Sequence, residues 1–277
     1  MTLLQNYMTP ANDKTIDLGK VLALKFKGKR IPRLAVRFLE RFLRIEFING
    51  LIASSEGEGI EFCRNVTRNL DLHITVEGLE NVPADGTAYT FASNHPLGGA
   101  DGVSLCGIIG EHFGSVQMTV NDFLMYVKPL APICIPINKF GAQLRELPAL
   151  LDKAFSSSDQ VLIFPAGLCS RKIDGIVQDL PWTKTFVRKS IEHGRPIVPV
   201  HFIGENSRFF YRITNLSKRL GLKFNIGMAC LPNEMYHSVH HSYRVIFGKP
   251  ILPVELDRSR TDAQWADIIR KKVYNLE

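Results

Sequence analysis

Several features are scarce in this sequence, and each absence excludes a class of protein. Its 277 residues include five cysteines, no two of them spaced as a CxxC pair. We therefore expect a reducing compartment, with neither a disulfide framework nor a structural zinc site. No apolar run approaches the roughly 18 to 20 residues of a membrane span. The run at 21–24 is broken by Lys25 and Lys27, so no signal-peptide pattern is present at the N-terminus.

Known nucleic-acid signatures are also missing, although the chain is basic. The net charge is +7 and the pI about 9.2, which suits an acidic carrier protein, anionic lipid or nucleic acid. Because no zinc-finger or RNA-binding motif is present, we expect no nucleic-acid partner. His237, His240 and His241 lack the cysteine or carboxylate pattern of a metal site, so we expect a surface loop there and no metal.

Short β-like runs alternate with helical patterns from Leu72 onwards. This alternation predicts an α/β protein with a mixed, mostly parallel central sheet flanked by helices. One predicted strand covers Lys223–Ala229, in an apolar stretch. Ahead of the sheet, a helical pattern covers Ile31–Ile52 and a second one covers Glu58–Leu70. We therefore predict an N-terminal helical segment over residues 1–70 and a main domain over 71–277.

Polar clusters follow three of the predicted strands. They are Asn94–Asp101, Asn138–Lys139 and Pro165–Lys172. In sheets of this kind, sites form at the carboxyl ends of the strands, so we expect the clusters to converge.

The first cluster, SNHPLGGADG at 93–102, has two interpretations. It can be a strand-to-helix turn, in which Pro96 keeps His95 out of helical geometry and Asp101 caps the next helix. It can also be a catalytic pair, in which Asp101 orients His95 as a general base and loop amides stabilise an oxyanion. No GxSxG nucleophile motif accompanies the pair. The second interpretation therefore predicts direct attack by a substrate hydroxyl or amine.

Four blocks of the sequence, spread over about residues 75 to 250, carry a family resemblance. They are NHPLGGAD at 94–101, APICIPIN at 131–138, FPAGLCSR at 164–171 and IVPV at 197–200. In order and spacing they resemble the motifs of the glycerolipid acyltransferases, the lysophosphatidic-acid type. The resemblance implies that fold and an O-acyltransferase activity. It also implies a lyso-lipid acceptor and acyl-CoA or acyl carrier protein as co-substrate, with no bound cofactor.

The resemblance also implies roles for individual residues. His95 is the general base and Asp101 is its partner. The residues that we expect at the substrate are Asn94, Gly98, Gly99, Asn138, Lys139, Phe164, Pro165, Gly167, Ser170, Arg171 and Lys172. Two of these assignments have simpler alternatives: a solvated loop for Arg171 and Lys172, and ordinary turn chemistry for Asn138.

The chain departs from the family pattern at charged positions. Five residues rather than four separate His95 from Asp101, and Ala166 and Cys169 replace a glutamate and an arginine. In the family those charges are associated with the acceptor phosphate. The pattern is similar to the lyso-ornithine-lipid and hemolysin-like branch, which implies a lyso-aminolipid hydroxyl as acceptor. Alternatives are a lysophosphatidic acid acyltransferase, a thioesterase-like hydrolase and a non-catalytic lipid-binding protein.

A basic stripe on the first predicted helix suggests membrane contact. The stripe consists of arginines that recur every three or four residues: Arg30, Arg33, Arg37, Arg41 and Arg44. It lies beside an apolar face that includes Phe38 and Phe42, and we expect all seven residues at the membrane. Each arginine contributes about 1 kcal/mol near an anionic surface. We expect a peripheral protein at the cytoplasmic face of the membrane; the alternative is a solvated face on a packed helix. The aromatic run 208–212 is either a second contact or core.

Overall fold

The computed structural model describes residues 16–19, 32–121, 124–137, 147–221 and 226–277. Three of the predicted site residues, Arg30, Asn138 and Lys139, lie outside these ranges. Within them the N-terminal helices are α1 (Arg33–Phe42), α2 (Ile45–Ser54) and α3 (Gly59–Asn69). Among the described residues, no helix combines the length and the apolar character that crossing a bilayer requires.

Strands and helices then alternate, as the sequence predicts. The strands are β1 (His73–Glu77), β2 (Thr90–Ser93), β3 (Gln117–Val120), β4 (Cys134–Pro136), β5 (Val161–Ile163), β6 (Arg171–Ile173), β7 (Ile176–Gln178), β8 (Ile197–Ile203) and β9 (Ser242–Phe247). The helices are α4 (Ala100–Phe113), α5 (Leu147–Ser156), α6 (Thr185–Glu192), α7 (Arg208–Arg219), α8 (Ile226–His237) and α9 (Asp262–Tyr274).

Seven of the strands form one sheet in the order β1-β9-β8-β2-β5-β3-β4. Every neighbouring pair is parallel except β8 with β9, which is antiparallel. The prediction of a mixed, mostly parallel sheet is therefore confirmed. Strands β6 and β7 form a separate antiparallel hairpin. The sequence reasoning missed it because both strands are short and neither contains a buried residue, so no apolar run marks them.

The central strands β2, β5 and β8 are buried on both faces, which explains their nearly continuous apolar sequences, whereas the edge strand β1 is largely exposed. Successive side chains point to opposite faces, so Phe91 packs with α3 and α4 while Ala92 packs with α6 and α9. In β5, Leu162 lies in the same core as Phe91, and Ile163 lies in the same core as Ala92. Helix α3 thus shares a core with the sheet. The domain boundary after residue 70 stays a prediction.

Two element predictions are wrong. The predicted strand Lys223–Ala229 overlaps helix α8, because a short apolar run has no periodicity that separates strand from helix. The single helix over Ile31–Ile52 is broken after Phe42, where Arg44 adopts a left-handed φ of 50°. Arg44 therefore does not continue the stripe of α1. Its side chain instead bonds Asn233 of α8 and lies over the Tyr236 ring.

Candidate active site

The carboxyl ends of three strands meet at one edge of the sheet. Strand β2 lies between β5 and β8 and is parallel to both. The loops that follow these strands begin at Asn94, Phe164 and Gly204, and they therefore lie side by side. Two of the three predicted clusters are brought together in this way, and the third, Asn138–Lys139, lies outside the described residues.

Asn94 fixes the start of the first loop. Its side chain is buried, and both ends of its amide bond the main chain of Phe202 in β8, at 2.9 and 2.7 Å. This paired contact joins the end of β2 to β8. The structure thus gives Asn94 a part in placing the next residue, His95, and its predicted contact with substrate stays a prediction.

His95 and Asp101 form a hydrogen-bonded pair across the turn. The distance from His95 Nδ1 to Asp101 Oδ2 is 3.1 Å, and the Asp101 side chain is fully buried. A carboxylate can only accept, so Nδ1 carries the proton. Nε2 is then the ring nitrogen left for a substrate, on a side chain that remains 15% exposed. This is the geometry of a general base with an orienting carboxylate.

Asp101 is held by the main chain as well as by the histidine. It accepts the N–H groups of Leu97 at 2.9 Å and of Gly102 at 2.8 Å. Those two amides are therefore not donors for an oxyanion. The prediction that Asp101 is the N-cap of the helix is wrong, since Gly99 is the N-cap and Asp101 lies in the first turn of α4. An acidic group at this position is stabilised by the helix dipole.

The two glycines of the turn are required by close packing. Gly98 has a φ of 85°, and a Cβ there would lie 2.5 Å from Cys169 Sγ. A Cβ on Gly99 would lie 2.7 Å from the Met235 methyl group. The turn is thus pressed between the third sequence block and α8. This packing accounts for both glycines, and their predicted contact with substrate stays a prediction.

The charges around the pair favour an ionised carboxylate and a basic imidazole. Burial lowers the pKa of His95, but the charge and hydrogen bond of Asp101 and the charge of Asp179 outweigh it, so the pKa rises above its ordinary 6.5. Burial raises the pKa of Asp101, yet its interactions with His95 bring that pKa below the ordinary value. Each partner therefore stabilises the charged form of the other.

The loop after β5 supplies the wall next to His95. The Phe164 ring stacks on the imidazole, with centroids 4.0 Å apart. Pro165 is buried, and its carbonyl accepts the Thr183 N–H. Gly167 is exposed with a φ of 65°. Burial raises the pKa of the Cys169 thiol well above its ordinary value, so it stays protonated and is a poor nucleophile.

The end of this loop divides into buried and accessible residues. Ser170 is 1% exposed and donates its hydroxyl to Asp179, so it does not face solvent. The Arg171 guanidinium is half-buried; it bonds the Cys169 and Ser170 carbonyls and lies 5.6 Å from the Phe210 ring centroid. Lys172 is exposed. Of the three, Arg171 presents positive charge that acts on His95, and the predicted substrate contact of Lys172 stays a prediction.

Asp179 is a site residue that sequence reasoning missed. Its carboxylate is 1% exposed and accepts the main-chain N–H of His95 at 3.2 Å. It also accepts the Ser170 hydroxyl and the Trp182 indole N–H. Asp179 is 84 residues away from His95 and outside the four blocks. Its position, a carboxylate in an apolar stretch just before Pro181 and Trp182, is the one signal that the sequence offers.

One cluster of possible metal ligands occurs in the described part of the chain. Asp152, Glu192 and His193 have ligand atoms within 4.8 Å of one another. The Lys189 ammonium already bonds both carboxylates, at 2.5 and 2.6 Å. A lysine in this place supplies the positive charge that a metal ion would bring.

Comparison with known proteins identifies the family to which the chain belongs. Residues 20–277 match a family model described as Acyltransferase. The chain belongs to this family. It is an acyltransferase, and the resemblance to the glycerolipid acyltransferase superfamily is confirmed.

Two curated relatives cover almost the whole of this acyltransferase. A lyso-glycine lipid O-acyltransferase from Bacteroides thetaiotaomicron is 45% identical over 265 residues, which are 94% of this chain and 97% of that protein. A protein of the same name from Phocaeicola vulgatus is 44% identical over 273 residues, covering 97% and 98%. A crystal structure of PlsC, a 1-acyl-sn-glycerophosphate (LPA) acyltransferase from Thermotoga maritima, aligns with a TM-score of 0.46 and 16% identity, over 91% of this chain and 86% of that one.

Proposed function

We propose that this acyltransferase moves a fatty acyl group from a thioester, acyl-CoA or acyl carrier protein, to the hydroxyl of a lyso-glycine lipid. The observation that carries the proposal is the His95–Asp101 pair at 3.1 Å, with Nε2 left for the acceptor. The names of the two relatives, at 45% and 44% identity over nearly the full chain, support the choice of acceptor.

The reaction needs one group that first removes and then returns a proton. Nε2 of His95 takes the proton of the acceptor hydroxyl as its oxygen attacks the thioester carbonyl carbon. The tetrahedral intermediate then collapses, the C–S bond breaks, and the imidazolium gives the proton to the leaving thiolate. The buried Asp101 stabilises the imidazolium between these steps. An ester and a free thiol are the products.

We expect an acidic headgroup to bind beside Arg171, whose positive charge lies close enough to act on His95. A glycine attached to a lipid through its nitrogen retains a free carboxylate, which suits a guanidinium. On the other side of the catalytic loop, a cavity of about 250 Å³ adjoins Leu97 and Ala100, but Glu205 and Glu234 also line it. His237 and His241 line it too, but neither side chain carries the permanent positive charge of Arg171, and the two carboxyl side chains disfavour an anion. We therefore expect the headgroup on the side of Arg171.

The acceptor preference is tested by direct competition. Purified enzyme with an acyl thioester is expected to acylate lyso-glycine lipid at least about tenfold faster than lysophosphatidic acid at equal concentration. The physical reason is that Ala166 and Cys169 stand where the family pattern has a glutamate and an arginine. The products are separated by mass spectrometry. Lysophosphatidic acid as the better acceptor would refute this part of the proposal.

Helix α1 is the surface that we propose for contact with an anionic membrane, such as the cytoplasmic leaflet. None of its ten residues is buried. Leu34 is 80% and Phe38 71% exposed, and Phe42 continues the same apolar row. Arg33, Arg37 and Arg41 lie along one side of this row. An exposed apolar row beside a basic row favours a helix lying in a membrane interface over a helix packed on the domain.

Removing the apolar row is expected to weaken vesicle binding. Leu34→Ser/Phe38→Ser should lower the affinity for vesicles rich in anionic lipid by about tenfold or more, because two large side chains no longer leave water. The matched control is Leu252→Ser/Val254→Ser, which removes two exposed apolar side chains from another surface. Sedimentation with vesicles measures both variants. Equal binding by wild type and the α1 variant would exclude this helix as the contact.

A further inference from the structure

We propose that Asp179 is a positioning residue for His95, which it orients through the main chain and influences through its negative charge. The proposal rests on the proposed role of His95 as the general base. Asp179 makes no contact with the imidazole of His95 that would let it exchange the proton itself. What it contacts is the His95 backbone, and its charge lies close enough to act on the ring.

Asp179 and Ser170 together bind both polar main-chain groups of His95. The His95 N–H donates to Asp179 Oδ1 at 3.2 Å, and the His95 carbonyl accepts the Ser170 N–H at 2.8 Å. The Ser170 hydroxyl also donates to the same Asp179 oxygen at 2.6 Å, so Ser170 and Asp179 are bonded to each other. His95 is therefore clamped at the backbone while Asp101 orients its ring. Because a misplacement of about 1 Å can cost about 100-fold in rate, such a clamp matters for catalysis.

Asp179 is itself held firmly by neighbouring elements. Its second carboxylate oxygen accepts the Trp182 indole N–H at 2.8 Å. From α9, the Tyr274 hydroxyl accepts the Asp179 N–H at 2.8 Å, and Arg270 donates to the Asp179 carbonyl at 2.7 Å. The C-terminal helix thus supports the catalytic loop through this aspartate. Burial raises the pKa of the Asp179 carboxyl above its ordinary value. The donors from Ser170, Trp182 and His95 act against this rise, because each of them suits the ionised form.

The charge of Asp179 acts on His95 together with two others. Asp101 and Asp179 raise the pKa of the imidazole, whereas Arg171 lowers it. Around Asp179 itself, the charged or titratable neighbours are His95, Arg270, Tyr274, Cys169 and His201. Removal of the Asp179 charge should therefore lower the pKa of His95. A residue that only packed against the loop would not change that pKa in a defined direction.

The variant must remove the charge without creating a clash between donors. Asp179→Asn alone would point an amide N–H at the indole of Trp182 or at the N–H of His95. We therefore combine Asp179→Asn with Trp182→Phe, which removes the competing donor. Trp182→Phe alone is the matched control, because it loses the same indole and keeps the aspartate.

The decisive measurement is an NMR titration of the histidine side chains. The chain has eight histidines, and the His95 signal is assigned by its absence in His95→Gln. In Asp179→Asn/Trp182→Phe the pKa of His95 is expected to fall by at least about 0.5 unit relative to Trp182→Phe. The kcat of the double variant should also be lower than that of Trp182→Phe by about tenfold or more. An unchanged pKa in a folded double variant overturns the proposal, even if kcat is lower.

A second variant keeps the proposal testable if the double variant does not fold. Asp179→Glu keeps the charge but moves the carboxylate, so kcat should fall by about tenfold while KM for the thioester changes less than about twofold. An unchanged kcat overturns the proposal. The titration requires no substrate, so its result is independent of whether lyso-glycine lipid is the acceptor. Failure of the proposed function would instead appear as wild-type enzyme that does not acylate this lipid.

Discussion

Replacement of His95 by glutamine is expected to lower kcat for acyl transfer by about 10²- to 10⁴-fold, the range that a general base contributes. Glutamine can still donate a hydrogen bond to Asp101, but its amide cannot take a proton near neutral pH. The fold should persist, because the main-chain bonds of residue 95 to Asp179 and Ser170 do not depend on the side chain. Thiol release and ester formation, measured together at saturating substrates, give kcat.

A second histidine–aspartate pair provides the matched control for this variant. His193 Nε2 lies 3.3 Å from Asp152 Oδ1, and the Lys189 ammonium bonds the same carboxylate. His193→Gln removes an imidazole of the same kind from a pair outside the site. Its kcat should stay within about twofold of wild type. Comparable loss in the two variants would show that a general effect on the protein, and not loss of the base, lowers the rate.

Asp101→Asn is expected to lower kcat by about 10²- to 10⁴-fold while changing the pH profile in a known direction. The asparagine no longer stabilises the imidazolium, and it lets His95 adopt the wrong tautomer. In wild type the base form of His95 is lost as the pH falls through a pKa above 6.5. Without the Asp101 charge, burial dominates and that pKa falls, so the acid limb of kcat/KM moves to lower pH.

The same substitution has a cost in stability. The asparagine NH₂ must face the N–H of Leu97 or of Gly102, which leaves a buried donor without an acceptor. Such a group costs about 1–3 kcal/mol in the free energy of unfolding. Urea unfolding measures this cost separately from the kinetic effect. An acid limb unchanged from wild type in a folded Asp101→Asn enzyme would contradict the assigned role of Asp101.

Much of the fold could be predicted because local pattern and tertiary structure agree. The central parallel strands β2 and β5 are buried on both faces, and short apolar runs of this kind between helical patterns are typical of such a sheet. The prediction failed where an apolar stretch had no period, as in α8. It also failed at Arg44, where one residue in a left-handed conformation ends an otherwise continuous helical pattern.

The candidate site could be predicted only where its members are close in sequence. His95 and Asp101 are six residues apart, so one turn brings them together and the motif reveals the pair. Asp179 reaches His95 only through the sheet and the β6–β7 hairpin, which no local pattern encodes. Ser170 was expected at the substrate because of its place in a motif. The structure shows its hydroxyl bound to Asp179, a partner that the motif does not contain.

The central claim is that an imidazole held by a buried carboxylate drives acyl transfer to a lipid hydroxyl. The most direct test is to measure thiol release and acylated lipid in one reaction, with and without lyso-glycine lipid, for wild type and His95→Gln. The account predicts one thiol for each ester formed by wild type, little thiol without the acceptor, and loss of both products in the variant. Equal thiol release without the acceptor, or ester formed by His95→Gln at the wild-type rate, would contradict it.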